Sequence, residues 1–92
     1  MKHYIVIVAS DNNIDNTIVM DTIGVMFMSQ RVLQRNFLHL PKRVRYKNEI
    51  NLLVESKGET TEYQQKRQED ILKEILKVEQ VIVIESSDVF GN

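Results

Sequence analysis

The chain has 92 residues, 42% of them apolar and 27% charged, with a formal net charge of -1. That composition suits one small folded domain spanning 1–92 and argues against disorder. The absence of cysteine excludes disulfides, thiolate nucleophiles and cysteine-ligated metals, and makes the cytoplasm the expected compartment. The apolar run Tyr4–Ala9 is too short for a signal-peptide core or a bilayer span, so no membrane association is expected.

Residues 3–9, His-Tyr-Ile-Val-Ile-Val-Ala, are β-branched and almost continuously apolar, the mark of a central strand covered on both faces. Ser10-Asp11-Asn12-Asn13 is a turn cluster rich in helix-capping residues. Asp15 or Asn16 is positioned to cap a helix running to about Asn36, with Val19, Ile23, Met26, Leu33 and Phe37 at three- and four-residue steps. Thr17, Ile18, Val19, Ile23 and Val25 favour strands, and Gly24 weakens a helix, so a hairpin around Asp21–Gly24 is the rival reading. Pro41 closes that segment.

Residues 43–55 read as a basic strand (about 42–46), a turn at Lys47-Asn48 and an apolar strand (about 49–55). Ser56-Lys57-Gly58 ends it. Thr61 with Gln64 forms a capping-box pattern opening a second helix over about 61–77. Its expected apolar stripe is Tyr63, Ile71, Leu72, Ile75 and Leu76, while the polar run from Gln64 to Asp70 is expected to face water. Val81 to Ile84 is the last strand, and 86–92 reads as a flexible tail.

The order is βαββαβ. It predicts an α+β, ferredoxin-like fold: a four-stranded antiparallel sheet in the order 4-1-3-2, with two helices on one face. Two helices cover only one face, yet strands one and four are apolar on both alternating sets. A dimer interface is therefore expected on the open face, at Tyr4, Val6, Val8 and Leu53, with a second copy as its cover. The alternative cover is the tail, through Val89 and Phe90.

Charge is unevenly placed. Six basic residues and no acid lie between Arg31 and Lys47, whereas ten acids and five bases follow from Glu49 onward. Arg31, Arg35, Lys42, Arg43, Arg45 and Lys47 are the candidate phosphate-contacting residues, with Tyr46 as a candidate stacking ring. Strand three lacks the aromatic residues of an RNA-recognition sheet. Basic residues on an edge strand also serve to discourage edge-to-edge aggregation.

No glycine pattern for phosphate binding is present. His3 and His39 lack metal-ligand spacing, and the serines lack a triad context. No cofactor, no metal site and no catalytic residue is expected. Asp11 follows the first strand, after the run from Ile5. In that position, and in the order of its elements, the chain resembles the small ferredoxin-like CRISPR-associated nucleases. The resemblance implies a metal-binding aspartate at Asp11, assisting phosphodiester hydrolysis in a dimer. The arginine- and phenylalanine-bearing second strand of that family is missing, and in a Ser-Asp-Asn-Asn cluster a turn-forming aspartate is the ordinary reading. The composition-based alternative is a regulator or inhibitor that docks on a protein partner. Small cysteine-free, Asn- and Ile-rich chains of the kind phages and mobile elements encode commonly act so.

Overall fold

The structure, a computed structural model, describes residues 2–29, 31–35, 46–58 and 60–86. Its elements run β1 (Lys2–Ser10), α1 (Asn16–Met26), β2 (Val32–Gln34), β3 (Asn48–Ser56), α2 (Glu62–Leu76) and β4 (Gln80–Glu85). The strands form one antiparallel sheet in the order β2-β3-β1-β4. This is the expected α+β, ferredoxin-like arrangement. Among the described residues no helix is long and apolar enough to cross a membrane.

The main core lies between the sheet and the helices. Tyr4, Val6 and Val8 of β1 meet Ile50, Leu52 and Val54 of β3, and Val81 and Val83 of β4. Val19, Ile23, Phe27 and Leu72 pack on them. Phe27 lies just after α1, with its ring centroid 5.8 Å from that of Tyr4. The Tyr4 hydroxyl accepts a 3.0 Å bond from the Thr60 amide, so this wholly buried phenol keeps a partner, as buried polar atoms require.

The segment after Asn16 is a helix, not a hairpin. Asp15 caps it, its carboxylate accepting from the Ile18 amide at 3.1 Å. The helix ends about ten residues earlier than its spacing suggested. The Ser29 amide bonds to the Gly24 carbonyl at 2.8 Å and the Met28 amide to the Val25 carbonyl at 3.1 Å. Met28 is left-handed at φ 50°. That is a Schellman closure, in which two amides satisfy the last turn's free carbonyls. A methionine fills the position glycine usually takes, which is why the stop was hidden in the sequence.

Leu33, expected on the helix, therefore lies in β2. A three-residue strand offers too little period to compete with the three- and four-residue steps that precede it. Of the strand expected over 42–46, residues 42–45 lie outside the described ones and Tyr46 belongs to a bend. Asn48 already sits in β3 opposite Ser10, so Lys47-Asn48 is not a two-residue hairpin turn.

The second helix has its capping box: the Gln64 amide donates to Thr61 Oγ1 at 3.1 Å, and the Thr61 amide to Gln64 Oε1 at 2.8 Å. Its packed face differs from the expected stripe. Leu72 is buried and Leu76 half-buried, but Tyr63, Ile71 and Ile75 are exposed. In the polar first half, Gln65, Gln68 and Glu69 are half-buried rather than facing water. Leu72 sets the register. Residues three, four and seven positions before it share its face, whatever their polarity.

Candidate functional site

The register of the ladders defines the side of the sheet opposite α1 and α2. Residues directly opposite one another on neighbouring strands point the same way. Leu33, Leu53, Ile5 and Ile84 form one row across all four strands. The next row holds Asn51, Ile7 and Ile82. Arg35 joins its outer end, its amide donating to the Asn51 carbonyl at 2.9 Å. On the other side of the aliphatic row, the Glu55 amide donates to the Arg31 carbonyl at 3.2 Å, and Glu55 lies opposite His3.

Arg31 and Arg35 thus bracket Leu33 on the edge of the open face. With His3, Leu53 and Glu55 they line a shallow pocket of about 170 Å³. Neither guanidinium forms an ion pair with a described residue. Nearby, Asn51 Oδ1 is buried without a hydrogen-bond partner, although its amide nitrogen donates to Glu49. The pocket is a depression with an aliphatic floor, rimmed by the two arginines together with His3 and Glu55. It can take a negatively charged group against the two arginines while an apolar portion rests on the leucines.

The expected interface set divides between the two faces. Leu53 is half-buried on the open face, packed with Ile5, Ile7, Ile82 and Ile84. Tyr4, Val6 and Val8 are on the opposite side, buried under the helices. Strand alternation makes this necessary: Tyr4 is opposite Val54 and Val6 is opposite Leu52, whereas Leu53 is opposite Ile5. The open face is also less exposed than its sequence suggested, since Ile5 and Ile7 are buried. The large apolar side chains most exposed among the described residues are on and beside the helices: Ile18, Val25, Met28, Tyr63, Ile71 and Ile75.

Of the candidate phosphate-contacting residues, Lys42, Arg43 and Arg45 lie outside the described residues, as do Val89 and Phe90. Tyr46 is half-buried and Lys47 exposed. His3, Leu33 and Glu55 are not among the binding residues the sequence suggests. The signal that could have found them is the alternation Arg31-Val32-Leu33-Gln34-Arg35, which places both arginines and Leu33 on one side once it is taken as a strand.

Asp11 has a structural task. One carboxylate oxygen accepts from the Lys47 amide at 3.2 Å, and its own amide donates to Glu79 Oε2 at 3.2 Å. The Asn48 side chain adds a 2.9 Å bond to the Asn12 carbonyl. These contacts tie the turn after β1 to the start of β3 and to the turn before β4. The Glu79 carboxyl is held below its ordinary value, chiefly because the Ser10 hydroxyl bonds to it. Among the described residues no three His, Asp or Glu side chains gather closely enough to hold a metal. No family model, no curated protein and no solved structure matches this chain.

Proposed function

We propose that this chain is a non-catalytic, homodimeric binding module that contacts nucleic acid through the basic segment 31–47. The observation that carries the reading is the pair Arg31 and Arg35, both on the open face and both free of ion pairs with described residues. Guanidinium groups in that state are ready to replace the counterions of a phosphate backbone. Leu33 and Leu53 form an aliphatic floor, so the contact follows the backbone and not stacked bases. Self-association is part of the same reading. It rests on the aliphatic row Leu33–Leu53–Ile5–Ile84 and on the modest core of a chain this small.

Labelled single- and double-stranded oligonucleotides, titrated at several salt concentrations, test the proposal. The logarithm of affinity should fall with the logarithm of salt by roughly 0.7 to 0.9 for each phosphate contact. Arg31→Gln with Arg35→Gln should flatten that slope by about 1.4 to 1.8. Light scattering should give a dimeric mass. No association with either probe at about 50 mM salt, where the electrostatic contribution is strong, rules nucleic acid out.

A second reading, docking on a protein partner, is favoured by one observation. Ile18 and Ile75, each 57% exposed, face the groove between the helices, which has a volume of about 300 Å³ and is also lined by Ile14 and Val78. Ile18→Ser with Ile75→Ser should then abolish capture of the partner while leaving the salt-dependent probe binding unchanged.

A further inference from the structure

Among the described residues β4 pairs only with β1, and its other edge meets no described strand. Backbone amides on such an edge are a template for another strand. Val83 presents one of them, and its N–H donates instead to Glu69 Oε2 at 2.8 Å. This assigns the ladder: Val83 and Val6 exchange no bonds, while Ile82 with Ile7 and Ile84 with Ile5 do. Glu69 comes from α2, with a side chain only 18% exposed, and its other oxygen is 3.8 Å from Lys66. A carboxylate is withdrawn from water at a cost unless hydrogen bonds compensate it, and here the strand edge supplies the compensating bond.

The strand so capped would otherwise pair readily. Gln80–Glu85 contains four successive β-branched residues and no proline, glycine or lysine. The opposite edge is protected differently. β2 is three residues long and is flanked by two arginines, and short, charged edges resist pairing.

We propose that the outer edge of β4 is a latent strand-pairing surface for a second copy of this chain, held closed by the Glu69 carboxylate. The second copy is the fitting occupant because the strand is self-complementary. An antiparallel pair centred on Val83 sets each outward amide against the other copy's carbonyl, as a two-fold contact requires. Val81 and Val83 of both copies then continue one helix-covered layer, and Ile82 and Ile84 continue the open face. In the closed state pairing would strip Glu69 of its amide partner and leave its charge in the joint.

Glu69→Ala tests this, with hydrogen exchange read at single amides and mass read by light scattering over a concentration series. At the lowest concentration the Val83 amide should exchange about tenfold faster and slow again as the assembly grows, while those of Ile82 and Ile84 stay as in the native protein. An assembly larger than the native protein's own should grow with concentration. Glu69→Gln keeps an acceptor but loses the charge-assisted bond. It should show both changes to a smaller extent, and it decides the matter if the alanine variant does not fold. A folded variant that keeps the native mass at every concentration overturns the proposal, as does a Val83 amide that, at the lowest concentration, exchanges no faster than the native one.

Discussion

The two faces of β1 are nearly equal in composition and unequal in fate. Tyr4, Val6 and Val8 meet both helices and the inward residues of β3 and β4. Among the described residues, Ile5 and Ile7 pack with the half-buried Leu53, Ile82 and Ile84. An aliphatic strand residue thus earns its importance from what lies above it, not from its own hydropathy. The helix-covered face concentrates the packing that holds the fold, and the other face carries Leu33 between Arg31 and Arg35.

The sharpest way to break this comparison is a carboxylate on each face. Val6→Asp should prevent folding, since an unpaired charge under the helices costs roughly 4 kcal/mol or more against a total stability of about 5–15 kcal/mol. Loss of the far-UV circular dichroism spectrum would register it. Leu53→Asp, on the half-buried open face, should leave a folded protein destabilised by about 1–2 kcal/mol in urea titration, with weaker self-association. Equal losses for the two substitutions would show that the faces are energetically alike.

A second test compares two aliphatic residues of one helix. Leu72 is fully buried and Ile75 largely exposed. Leu72→Ala should cost about 2–5 kcal/mol through lost contacts and a residual cavity. Ile75→Ala should stay within about 0.5 kcal/mol, as surface changes do. Denaturant midpoints at unchanged slope measure both, and a reversal would mean that α2 is rotated about its axis.

Tyr4→Phe sharpens the same contrast inside the core. The ring stays against Phe27, but the Thr60 amide loses its acceptor. A loss of roughly 1–3 kcal/mol is expected from leaving that donor without a partner. Thermal unfolding followed by calorimetry would detect it, and an unchanged midpoint would indicate that water replaces the phenol at no cost.

The smallest expected effect concerns pH and the polar end of the sheet. Glu79 is held below its ordinary carboxyl value of 4.5 chiefly by the Ser10 hydroxyl, which with its own backbone amide and the Asp11 amide outweighs the opposing effect of desolvation. A depressed folded-state value makes its contribution present above the unfolded value and lost as pH falls through the folded one. Glu79→Gln should therefore flatten the acid side of the stability curve below about pH 5 and leave its slope near neutrality unchanged. A variant with the native acid slope would remove Glu79 from this role.

Much of the fold was legible before the structure. β-Branched runs marked β1 and β4, the apolar stretch after Lys47-Asn48 marked β3, Asp15 announced the start of α1, and Thr61 with Gln64 announced α2. These signals are local, because a strand's β-branching and a cap's side-chain oxygen act within a few residues of chain. The end of α1 was not legible, because Met28 supplies a left-handed closure without glycine. The candidate site was half legible: the charge of Arg31 and Arg35 was plain, but their shared face depends on a three-residue strand visible only through its pairing with β3.

By itself, then, the amino-acid order determined the sequence of elements, the antiparallel topology that short and right-handed connections allow, and the concentration of positive charge between Arg31 and Lys47. The tertiary structure alone decided which side of β1 the helices cover. It also turned Glu69 from a polar helix residue into the cap of the β4 edge and gave Asp11 to a turn. The reason is physical. Periodicity records that a residue has two sides to choose between, while the choice itself is made by long-range packing, with the burial of Leu72 setting how α2 lies on the sheet.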